Sequence, residues 1–298
     1  MIIDFHVHLS QPDHMHPWVM EWMSEVYPGD LDALLREVLT PAKFRRYLQE
    51  NDIDSAVGLA EVAPLSTGWT SNEYVGKFCA EANALPDPAS GPRGRLIPFA
   101  SINPFIVGDM AGELESLVRE YGFRGIKIYP PYQHHYPNDA RMYPLYAKAE
   151  ELGLIVLAHT GSSVFKGARI KYADPLLFDD VAIDFPDLPI LLAHAGRPFW
   201  YEQAFWMARR HPNVYVEVSG LPGKKLLDYL PQLERLPEKI VYGSDWPSID
   251  LQTNVKAIRA LAIADEVKQA ILHDNAARLL GQANLIEEEQ DARTTAGE

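Results

Sequence analysis

His6 and His8 stand one residue apart in the opening run MIIDFHVHLS. Residues i and i+2 of a strand share a face, so the two imidazoles project together, roughly 7 Å apart along the strand. Ile3, Phe5 and Val7 are expected on the other face. Two imidazoles presented side by side can chelate one metal ion. Taken alone, the pair reads equally well as two partly exposed histidines at a strand end. Its meaning depends on which other polar groups the fold gathers beside it.

Three more polar residues close apolar runs in the same manner. His159 ends LIVLAHTG, His194 ends PILLAHAG and Asp245 ends IVYGSDWP. A core histidine satisfied by hydrogen bonds would explain any one of them, but not five polar groups at corresponding ends. Neutral imidazoles and a carboxylate are the ligands expected for Zn²⁺ or a similar divalent ion. Arg197 follows closely in HAGRPFW, where it either holds a substrate carboxylate in a bidentate pair or pairs with an acidic neighbour. Glu61, at the end of the second run, and Tyr132, after the fourth, are further candidates for the substrate pocket. His14, His16, His134 and His135 fall in loops, and His211 and His273 in helical contexts, so all six are set outside the metal site.

The elements that must position these residues follow from periodicity. Eight β-rich runs, MIIDFHVH, DSAVGLAEV, RLIPFASI, FRGIKIY, LIVLAHT, PILLAHA, NVYVEVSG and KIVYGSD, alternate with amphipathic stretches. One such stretch has Asp109 as N-cap and Gly122 past its end; another closes at Gly153; a third starts with Thr40 as cap and Pro41 at its first position. SNEYVGKFCAEANAL reads as a further helix, in which Cys79 is a buried structural thiol. Unbroken apolar runs such as LIVLA suit strands covered on both faces, as in a parallel sheet. The pattern predicts a (β/α)8 TIM barrel, one domain over residues 1–285, with catalytic groups at the C-terminal ends of its strands. A doubly wound open sheet ranks second, because no glycine-rich nucleotide loop follows the first strand. Residues 10–39, including HMHPWVMEWMSEVYP, exceed an ordinary βα loop. They form either a lid over the barrel mouth or a helix on its exterior. The acidic stretch 286–298 is expected to be a disordered tail.

Bulk properties narrow the partners. The chain has 298 residues, 47% of them hydrophobic, and a formal net charge of −14, which argues against nucleic acid or an anionic membrane as partner. No apolar run is long enough to span a bilayer and no leader pattern opens the chain. A single cysteine fits a reducing compartment, so a cytoplasmic enzyme acting on a small molecule is the expectation.

The combination of H-x-H on the first strand, histidines ending strands five and six, and aspartate ending strand eight resembles the amidohydrolase superfamily. More closely, DFHVHL, GFRGIKIYPP, LAHTG, LAHAG, VYGSDWP and DNAARLLG resemble the amidohydrolase-related group that includes aminocarboxymuconate semialdehyde decarboxylase. The resemblance covers roughly residues 1 to 281. It implies that His6, His8, His159 and Asp245 bind one divalent ion, zinc or else manganese, with His194 beside the reacting water. It also implies Asp245 as general base and then acid, and a homodimer. Two chemistries fit: hydrolysis of an amide, ester or lactone of a small carboxylated molecule, or non-oxidative decarboxylation at the same site. A non-catalytic barrel would be expected to have lost a ligand, and none is missing. In other branches of the superfamily a carboxylated lysine on strand four bridges two metals. Lys127 occupies that strand, so a second ion stays open beside the favoured mononuclear site.

Overall fold

In a computed structural model of the protein, which describes residues 1–87 and 93–281, the eight apolar runs form eight parallel strands in sequential order. They are β1 (Ile3–His8), β2 (Ser55–Leu59), β3 (Arg95–Ala100), β4 (Gly125–Ile128), β5 (Ile155–His159), β6 (Ile190–Ala193), β7 (Val214–Glu217) and β8 (Ile240–Val241). The ring closes through backbone bonds between β1 and the segment after β8: Phe5 N to Tyr242 O at 3.0 Å, Asp245 N to His6 O at 3.0 Å and His8 N to Trp246 O at 2.9 Å. The result is a (β/α)8 barrel. Its interior is filled by Val57, Phe99, Leu157, Leu191 and Val241. Alternate strand residues such as Ile126, Val156 and Leu192 pack outward in the cluster that includes the helices.

Three details depart from the sequence pattern. Neither Ile3 nor Phe5 lies opposite the histidines: both join the interior cluster, while Val7 belongs to the outer one. The register of β1 against β2 shifts between Asp4 and Val7, and such an irregularity re-aims the residues beyond it. The second run is divided, since β2 stops at Leu59 and Glu61–Ala63 pairs antiparallel with Gly68–Thr70 as a separate hairpin. The last strand has only two residues, so Asp245 lies in the following loop rather than at a strand end.

The helix ends follow local chemistry. Asp109 caps Met110–Tyr121 by accepting from Gly112 N at 2.9 Å, and Gly122 ends it at φ +66°. Cys79 is buried in the helix Asn72–Asn83. Within 10–39 the chain forms α1 (Pro17–Val26) and α2 (Leu31–Val38). This insertion is tied to the extra hairpin: His16 N donates to Thr67 O at 2.9 Å, His16 Nε2 lies 2.7 Å from Pro64 O, and Trp18 Nε1 donates to Ser66 O at 3.0 Å. The expected tail, 286–298, lies outside the described residues. Among the described residues no helix is long and apolar enough to cross a membrane.

Candidate metal centre

β1 delivers His6 and His8 into one cavity, their ring centroids 5.2 Å apart. Both turn Nε2 towards Asp245, at 3.5 Å from Oδ1 in each case. Both turn Nδ1 to a carboxylate: His6 to Glu217 Oε2 at 3.0 Å and His8 to Glu61 Oε2 at 3.2 Å. A carboxylate on Nδ1 fixes the ring and leaves Nε2 free for a ligand. The ligand atoms of His6, His8 and Asp245 all lie within 4.8 Å of one another, as do those of a second set, His6, His194 and Glu217.

His159 belongs to neither set. Its ring lies 4.6 Å from that of His194 and 4.8 Å from that of Tyr132, and its buried Nε2 has no hydrogen-bond partner among the described residues. An orphaned buried ring nitrogen costs about 1–3 kcal/mol, and here it lines the same cavity as the His6, His8 and Asp245 trio. The donor set therefore fits a divalent ion on this structure's own terms: three imidazoles and one carboxylate, with one of the ring nitrogens left unsatisfied among the described residues.

Electrostatics favour a cation at His6, His159 and Asp245, whereas His8 must give up a proton to ligate. Burial holds the imidazoles of His6, His159 and His194 well below their usual pKa. At His8 burial also lowers the pKa, but hydrogen bonds to Asp245 and Glu61 outweigh it and raise the ring to about 9. Burial alone would raise Asp245; His194, His8, His6 and Arg197 outweigh it and hold the carboxylate well below its usual range. Asp245 (φ +67°) and His194 (φ +63°) are both left-handed at the backbone. Such conformations persist in non-glycine residues where surroundings impose them, commonly at functional sites.

The softer candidates fall around this centre. Arg197 lines the cavity, donates from Nη1 to Gly220 O at 2.8 Å and places Nη2 3.5 Å from Asp245 Oδ2. The acidic-neighbour reading and the pocket reading thus meet in one side chain. Glu61 is held by the Thr67 hydroxyl on one oxygen and faces His8 with the other, so it acts on the ring of His8 while lining the cavity. Tyr132 is a cavity wall whose ring is tilted 49° to that of His159. Lys127 faces the interior, fully buried, with Nζ 3.3 Å from His6 Nε2 and 5.0 Å from the Tyr129 ring centroid. Burial lowers its amine to about 8 and raises Glu217 to about 8, each opposed by the other's charge. The six remaining histidines are engaged elsewhere, for example His134 with Gly167 O and His211 with Asp179.

The sequence reading did not single out Glu217 or Ser219. Ser219 Oγ donates to Glu217 Oε2 at 2.7 Å and lies 2.9 Å from Nδ1 of both His6 and His194. The signal was available: an acid inside the apolar run NVYVEVSG, ending a strand like the other reactive residues. Gly220, at φ +65°, is required for space as well, because a Cβ there would strike the Arg197 guanidinium and come within 2.6 Å of Asp245 Oδ2.

Comparison with known proteins supplies the family. The amidohydrolase family model matches residues 3–282. An uncharacterised TIM-barrel protein from Bordetella bronchiseptica superposes with a TM-score of 0.75 at 25% identity, covering 95% of this chain and 99% of that one. A probable 2-pyrone-4,6-dicarboxylic acid hydrolase from Acinetobacter baumannii gives 0.64 at 17% identity, covering 94% and 99%. A dihydroxybenzoic acid decarboxylase from a Polaromonas species, with bound manganese, gives 0.62 at 18%, covering 94% and 96%. The last two likenesses show the fold alone. The match across almost the whole chain places this protein in the amidohydrolase family, a metal-dependent family of enzymes.

Proposed function

We propose that the protein is a mononuclear metal-dependent hydrolase that cleaves an amide, ester or lactone of a small carboxylated molecule. The observation that carries this reading is the convergence of His6, His8 and Asp245 beside the unpartnered Nε2 of His159. These four residues would hold the ion, Zn²⁺ or else Mn²⁺. When bound, it would supply Lewis-acid polarisation of a carbonyl and an acidified water.

This chain's residues perform the rest. Asp245, ionised by its cationic and imidazole neighbours, accepts a proton from the attacking water and passes it to the leaving group. His194 is anchored through Nδ1 to Ser219 O at 3.0 Å, which leaves Nε2 to orient the nucleophile or bond the oxygen that gains charge. Arg197 can grip a substrate carboxylate, although it must share its guanidinium with Asp245. Glu217 and Glu61 keep the two imidazoles of β1 in one orientation. Lys127 touches His6, and in this reading it is a buried counter-charge for Glu217 rather than a bridge to a second ion.

A second reading, non-oxidative decarboxylation, is favoured by one feature. The cavity is walled on one side by Trp22, Met23 and Phe165, and a desolvated carboxylate loses uncharged CO₂ more readily than a hydrated one. A panel of lactones, amides and aromatic carboxylates, with acid release and CO₂ release followed separately, distinguishes the two. Acid release from a lactone or ester, or amine release from an amide, without CO₂ supports hydrolysis; CO₂ release supports the second reading, and none of these from metal-loaded protein contradicts both. Cytoplasmic location and a homodimer remain part of this proposal.

A further inference from the structure

We propose that the cavity contains an apolar subsite, built by the insertion after β1 and the loop after β5, that takes the hydrocarbon body of the substrate. It rests on the reading above only for the anionic head of that molecule.

The cavity measures about 400 Å³. That is on the order of a dozen water-sized volumes, more than a carboxylate and its scissile bond fill. Its reactive groups lie at the strand ends, whereas Met15, Val19, Trp22 and Met23 from the insertion and Phe165 from the β5 loop form an apolar wall. Ring contacts connect the two regions. Tyr132 lies 4.8 Å from His159, Phe165 lies 6.2 Å from Tyr132, and Trp22 meets Phe165 edge-on at 5.3 Å. An aromatic row thus runs from the candidate metal centre to α1.

This wall stands before any ligand arrives, because His16 and Trp18 bind the insertion to the hairpin backbone at Pro64, Ser66 and Thr67. Beyond Trp22 and Phe165, Val26 and Val164 also line the cavity while 50% and 64% exposed. Apolar surface held open beside a reactive centre is stabilised by an apolar occupant at about 25 cal/mol per Å². The occupant is an alkyl or aryl chain attached to the head that Arg197 and the histidines receive, with ~8–10 heavy atoms beyond that head.

Calorimetry on metal-reconstituted protein with straight-chain carboxylates from propanoate to octanoate, and with uncharged octanamide, tests this. The dissociation constant is expected to fall about fourfold per added methylene, the equivalent of about 0.8 kcal/mol each. Trp22→Ala and, on a separate element, Phe165→Ala should each weaken octanoate about tenfold and leave propanoate unchanged, with unaltered melting showing that both fold. Equal constants for propanoate and octanoate would overturn the subsite while leaving the carboxylated-substrate reading intact. Binding of octanamide, weakened by both variants, without binding of octanoate would uphold the subsite and remove the carboxylate reading. No binding of any long chain, or octanoate binding indifferent to both variants, would overturn the subsite outright.

Discussion

His6 Nδ1 lies 3.0 Å from Glu217 Oε2, linking β1 to β7 past the short β8, with both side chains fully buried. A buried carboxylate on a buried imidazole is costly unless it orients that ring for something else. Ser219 supports the same carboxylate, and Gly243 leaves it room: a Cβ there would run into Glu217 and lie 2.7 Å from His6 Cβ. Glu217→Gln should therefore raise the metal dissociation constant about 10- to 100-fold in competition against a chelator. An unchanged constant would detach Glu217 from the centre.

Asp245 is assigned the proton transfers. Asp245→Asn keeps its size and one oxygen but not its charge. The variant is expected to fold, by circular dichroism, and to lose about 10²–10⁴-fold in kcat. Activity within a few-fold of wild type would remove Asp245 from that role.

Arg197 is expected to bind rather than to react. Arg197→Met should raise KM for a carboxylated substrate about 10- to 100-fold with a smaller change in kcat. Gly220→Ala should act in the same direction, since its methyl group displaces the Arg197 side chain. Equal falls in kcat with KM unmoved would place Arg197 in the chemical step instead.

Away from the site, Asp179 accepts from Arg210 Nε at 2.9 Å and meets His211 Nε2 at 2.7 Å. The bond to His211, opposed by partial burial and aided by Arg210, lowers the carboxyl pKa below 3.8. A carboxyl depressed on folding contributes stability that is present above its unfolded pKa and is lost as pH falls through the folded value. Asp179→Asn should thus melt only about 1 °C lower than wild type at pH 7, since solvent screens the half-exposed carboxylate, the difference closing below pH 3.8. A difference independent of pH would contradict the ion pair.

How much of this was legible in the sequence differs by element. All eight strands were readable, because strands covered on both faces are continuous apolar runs, and His159 stands out against IVLA. Residues whose position depends on local backbone were not. The register shift in β1 that brings Phe5 inside has no apolar signature, and the two-residue β8 leaves Asp245 in a loop with left-handed backbone. Lys127 alternates with Ile126 and Ile128, which by itself does not say which face is inside; closure of the barrel decides that. Glu61 looked like a pocket residue, but only the extra hairpin reveals that Thr67 aims it at His8.

In the proposed mechanism the HVH of β1 serves one metal ion. Elemental analysis of tag-free protein, wild type and His6→Ala/His8→Ala, tests it most directly. About one equivalent of zinc or manganese per chain is expected, lost in the double variant. A wild-type protein that binds no metal even after reconstitution would contradict it.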